Sequence, residues 1–119
     1  IALPCGGLME FVERGMLRGP EVENYLFDRL EPYLKVPVDA IVLGCTHYPF
    51  LTGAIRKLVG RQPEIMDGSH GVAMQLQRKL QEQGMLRTAD GPGTVEFQNS
   101  LDEPEILALS RALFQYHDA

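Results

Sequence analysis

The apolar run Ala40-Ile41-Val42-Leu43, followed at once by Gly44, Cys45, Thr46 and His47, constrains this chain more than any other feature. The run is short, β-branched and uninterrupted, which reads as a strand buried on both faces. Gly44 lets the backbone turn at the strand's carboxyl end. In open α/β sheets ligands bind at that edge, so Cys45, Thr46 and His47 fall where a small molecule would sit. On residues alone two readings of Cys45 stay open. A free cysteine commonly packs as a small hydrophobe, whereas an imidazole two residues away is the kind of neighbour that favours a reactive thiolate.

The rest of the chain alternates helical and strand patterns. Leu8, Met9, Phe11 and Val12 predict a short helix stopped by Gly15, and Gly19-Pro20 opens a second with Val22, Leu26 and Leu30 on one face. Pro32 should kink or restart that helix. After the motif loop come a helix over 51–59, a short strand over 63–67 and a helix from His70 to about Gln83, with Asp67-Gly68-Ser69 ending the strand and supplying the N-cap. Asp90-Gly91-Pro92-Gly93 breaks regular structure, and Thr94 to Gln98 alternates like a half-exposed strand. Asp102, with Pro104 and Glu105, predicts a capping box for a last helix bearing Ile106, Leu109, Leu113 and Tyr116. Such β-loop-α alternation predicts an α/β fold on a parallel sheet, because parallel neighbours need a crossover.

Composition narrows the partners. The 119 residues carry a net charge of −5 with no basic stripe, which argues against nucleic acid. No apolar run is long enough to span a membrane, and no charged-then-apolar leader precedes the first helix, so the expected location is the cytoplasm. Two cysteines, Cys5 and Cys45, are too few for a disulfide framework and are expected reduced. Cys5, Cys45, His47, His70 and His117 lack the close paired spacing of a zinc site, so no metal is expected. No Gly-rich phosphate loop is present. Ile1-Ala2-Leu3-Pro4 reads as the middle of a longer chain.

The stretch Leu43-Gly44-Cys45-Thr46-His47-Tyr48-Pro49 resembles the second catalytic-cysteine motif of the glutamate racemases, which interconvert L- and D-glutamate for peptidoglycan synthesis. Relatives acting on aspartate or hydantoins share the Gly-Cys-Thr core, while His-Tyr-Pro resembles the glutamate enzymes. The resemblance covers essentially the whole chain but only the carboxyl-terminal half or less of the family's length. It lacks the first catalytic cysteine of the amino-terminal half. It implies a three-layer, parallel-sheet fragment of a two-lobed α/β racemase, with residues 1–67 in the second lobe and 68–119 returning to the first.

The same resemblance implies roles. Cys45 would be one of two proton-transfer thiols, Thr46 would bind the substrate carboxylate, and His47 would hold the thiolate, relay a proton or touch substrate. Glu13 would assist His47, although a glutamate at a helix end is otherwise a solvated charge. Cys5 matches a non-catalytic family cysteine, in a segment with glycine where proline is frequent. No cofactor is implied. Glutamate and the missing amino-terminal half are the expected partners, and the chain alone is expected inactive. A homo-oligomer is expected, because the apolar faces at Val72, Leu76, Leu80 and Ile106, Leu109, Leu113 need cover. The alternatives are a silent module that binds an amino acid or a protein, or a superfamily racemase acting on another acid.

Overall fold

Residues 1–101 and 103–116 are described by a computed structural model. Five α-helices, α1 (Leu8–Glu13), α2 (Pro20–Leu30), α3 (Thr52–Val59), α4 (Ser69–Glu82) and α5 (Pro104–Gln115), accompany two strands, β1 (Ala40–Val42) and β2 (Glu64–Met66). The strands pair in parallel with Ile41 opposite Ile65, so the α/β reading with a parallel sheet holds.

Apolar spacing builds the core. Leu8 and Val12, one turn apart on α1, and Val22 and Leu26 on α2 are buried together with Leu43, Leu51, Ala54 and Ile55. Gly15 ends the first helix with φ 70°, in the left-handed region where a side chain would be strained, and Met16 N–H closes the turn on Phe11 O at 2.8 Å. Pro20 opens α2 in its first turn, where the missing N–H costs nothing. At Pro32 the chain tightens into a 3-10 turn over Glu31–Tyr33. A second 3-10 turn, Tyr48–Leu51, leads from the motif into α3. Arg56 then ties α3 to the approach of β2, with Nη1 donating to Gly60 O at 3.0 Å and Pro63 O at 2.6 Å.

Three expectations need correction. The strand expected to be buried on both faces is covered on one. Ile41 and Ile65 pack on the core, but Val42 is 74% exposed and Met66 52% exposed, because no layer among the described residues covers the second face. Residues 94–98 form no strand. Phe97 instead packs edge-on against Phe114 of α5, ring centroids 5.5 Å apart, and Arg111 stacks over it. The N-cap of α5 is Glu103, with no side-chain bond to the helix, while Asp102 of the expected capping box lies outside the described residues. At α4 the cap position is Gly68, and Asp67 Oδ1 accepts Ser69 N–H at 2.6 Å.

Neither α4 nor α5 has a buried residue. The Cα radius of gyration is correspondingly large, 17.3 Å, against about 13.5 Å for a compact domain of this length. Among the described residues no helix is long and apolar enough to cross a membrane.

Candidate active site

The two strands deliver the site. Parallel register sets the carboxyl ends of β1 and β2 side by side, so Gly44-Cys45-Thr46 and Asp67-Gly68-Ser69 form facing walls of a pocket of about 420 Å³, with Leu43, Pro49 and Val72 completing it. Leu43 N–H donates to Met66 O at 2.8 Å and fixes the register one residue before the loops diverge.

Cys45 is half-buried there, and its Sγ lies 3.7 Å from His47 Nδ1. The other ring nitrogen, Nε2, lies 3.6 Å from Glu13 Oε1 at the last residue of α1. Carboxylate, imidazole and thiol thus stand in one chain across two elements, each ring nitrogen committed to one neighbour. With Nε2 protonated toward Glu13, Nδ1 is free to accept the thiol proton; a doubly protonated ring donates to a thiolate. The His47 side chain is 31% exposed and Glu13 56%, so this pair contributes at most about 1 kcal/mol to stability and serves chiefly to orient the ring. Thr46 is exposed on the pocket wall. The four residues singled out from the sequence, Glu13, Cys45, Thr46 and His47, are therefore gathered at one edge.

Cys5 lies elsewhere. It does not line the 420 Å³ pocket but an adjoining groove of about 540 Å³, which Leu43, Gly44 and Cys45 border as well. Its Sγ donates to Leu3 O at 3.6 Å, and burial pushes the thiol above its ordinary range, with the Arg29 charge opposing. His70 is exposed on α4, and His117 lies outside the described residues. Among the described residues no three His, Cys, Asp or Glu side chains gather to hold a metal.

Three contributors to the site carry no local sequence signal of that role. Tyr48 donates its Oη proton to Cys5 O at 3.2 Å, binding the motif to the segment before α1, and burial raises its pKa so that it stays a donor. In sequence Asp67 and Ser69 mark only helix punctuation, yet they face Cys45 across the pocket. The signal was the parallel alternation itself, which sets successive strand ends together. The side-chain and backbone hydrogen bonds from Ser69 hold the Asp67 carboxyl below its usual range.

Comparison with known proteins gives this geometry its context. No protein-family model matches the chain. It is 44% identical over 115 residues to the glutamate racemase of Clostridium perfringens strain 13, a match covering 97% of this chain and 44% of that protein. Identity is also 44% over 114 residues with the glutamate racemase of Clostridium novyi, 95% of this chain and 44% of that one. Among solved structures it superposes on a Thermus thermophilus glutamate racemase crystallised with β-chloro-D-alanine, at TM-score 0.68 and 30% identity, covering 97% of this chain and 44% of that one. A Francisella tularensis glutamate racemase in complex with D-glutamate gives TM-score 0.65 at 30% identity, over 76% and 34% of the two chains. The chain spans less than half the length of the curated relatives it matches.

Proposed function

We propose, from a chain whose sequence and fold are those of part of a glutamate racemase over nearly its whole length, that it supplies one proton-transfer face of a site that inverts the α-carbon of glutamate. Inversion removes a proton from one face of a weak carbon acid and returns one to the other, so two acid/base groups must flank the carbon. Cys45 serves one face. As thiolate it takes the α-proton, and as thiol it returns one. Thr46 offers its hydroxyl and backbone N–H to a substrate carboxylate, and His47, held by Glu13, keeps the thiolate partnered. The observation that carries this reading is the Cys45–His47–Glu13 chain, with contacts of 3.7 and 3.6 Å, whose thiol lines the strand-end pocket.

The chemistry needs no cofactor in this reading. The substrate is an amino acid whose D-form serves peptidoglycan synthesis, and the location is the cytoplasm. The 420 Å³ pocket carries a single thiol, so the chain by itself is expected to leave the optical rotation of L-glutamate unchanged. The same observation favours a second reading, an amino-acid-binding module without turnover.

A chimera separates the two. Replacing the matched 115 residues of the Clostridium perfringens enzyme with this chain should give racemisation followed by circular dichroism. Cys45→Ser should lower kcat by roughly 10²–10⁴-fold, the usual contribution of a positioned acid/base group, and Thr46→Ala should chiefly raise KM. A chimera that binds glutamate but turns none over, with Cys45→Ser indistinguishable, would leave the binding module standing.

A further inference from the structure

Two neighbours in the motif loop grip opposite ends of one short helix. Helix α1 spans six residues, about 9 Å along its axis. His47 meets Glu13 at its last residue, with Nε2 3.6 Å from Oε1. Tyr48 reaches the other end. Its Oη donates to Cys5 O at 3.2 Å, and the same carbonyl accepts the N–H of Leu8, the first residue of α1, at 3.1 Å. A carbonyl oxygen has two lone pairs, so this one atom both closes the turn that starts the helix and anchors it to the motif loop. Tyr48 is itself fixed to the residue that bears the thiol, because its backbone N–H donates to Cys45 O at 3.1 Å.

The anchor matters because the approach to α1 is loose by composition. Gly6 and Gly7 alone separate Cys5 from the helix, and Gly7 sits at φ 88°, in the left-handed region. A helix of six residues has little stability of its own, so the placement of Glu13 depends on what ties the helix down. Tyr25 Oη, donating to Gly6 O at 2.7 Å, ties its start to α2. The Tyr48 bond ties it to the loop that carries Cys45 and His47. We propose that Tyr48 is a positioning residue: by holding Cys5 O it sets α1 so that Glu13 meets His47 and His47 meets the Cys45 thiol. Its hydroxyl proton is spent on Cys5 O rather than on the thiol, and burial, with the charges of Cys45 and Cys5 adding to it, keeps that proton in place. The role rests on the proton-transfer reading of Cys45, whereas the tether rests on the hydrogen bonds.

Tyr48→Phe tests it, since it removes the hydroxyl and keeps the ring against the core. Iodoacetamide labelling of Cys45 in the folded chain should then slow about 3-fold near neutral pH, the effect of one ordinary hydrogen bond. At alkaline pH, where the thiol ionises without help, the wild-type rate should return. In a chain already carrying Glu13→Gln the same substitution should change nothing further, because the tether then has no carboxylate to position. A tyrosine that merely stiffened the fold would show the opposite sign, its loss exposing Cys45 and speeding labelling at every pH. Faster labelling, an unchanged rate, or an equal loss in the Glu13→Gln background would overturn the positioning role. His47→Asn keeps the two proposals apart. If it slows labelling and Tyr48→Phe does not, the positioning role falls and the proton-transfer reading stands; if neither slows labelling, both fall.

Discussion

Residues 1–67 and 68–116 carry similar helical periodicity and meet different fates. Among the described residues all eight buried apolar side chains lie in the first region, between Leu8 and Ile55, and none in the second. Val22 and Leu26 of α2 are sealed, whereas Val72 and Leu76 of α4, with the same spacing of four, are 70% and 59% exposed. The difference lies in what surrounds each helix. Helix α2 packs on α3, with Lys57 pairing to Glu23 at 2.6 Å across them, while α4 leaves the sheet edge and meets no opposing apolar face among the described residues. Periodicity selects the face to be buried, and only a second surface buries it.

That contrast can be broken by mutation. Leu51→Ala, at a side chain with no exposure, should cost about 2–5 kcal/mol, read as a lower urea midpoint, whereas Leu76→Ala on α4 should change it by about 0.5 kcal/mol or less. Equal losses at the two sites would mean that α4 is covered in solution. We propose that a second copy covers it, so sedimentation should show association that Leu76→Glu weakens; a monomer at high micromolar concentration would contradict that. Asp67 provides the smallest effect. Its folded carboxyl is held below the usual value by the hydrogen bonds from Ser69, so its contribution is present above the unfolded pKa and is lost as pH falls through the lower folded one. Asp67→Asn should therefore narrow the stability gap between neutral and acid pH slightly, and an unchanged acid limb would remove the claim.

Local signals made much of this legible. Gly15, Pro20 and the β-branched run over 40–43 each act through backbone physics confined to a few residues, and each marks an element edge in the structure. The Gly-Cys-Thr-His loop was visible for the same reason, since strand and turn chemistry sit side by side in sequence. What failed depends on long-range partners. The alternation over 94–98 fits a strand, but pairing needs a sheet edge brought alongside, and Phe97 packs on Phe114 instead. Tyr48 reaches Cys5 across 43 residues, a contact no local pattern encodes. Asp67 and Ser69 join the pocket only through the register of β2 on β1.

The central claim is that Cys45, His47 and Glu13 form one working unit while Cys5 is a packed thiol. Iodoacetamide labelling of the folded chain across pH, read residue by residue by mass spectrometry, tests it directly. Burial raises the Cys5 pKa, so near neutral pH less of it is thiolate, and its labelling should emerge only as pH climbs. Cys45 should label first, and His47→Asn should slow it roughly 5-fold, the value of a partly exposed contact of about 1 kcal/mol. Faster labelling at Cys5 than at Cys45, with both rates indifferent to His47→Asn, would contradict the account.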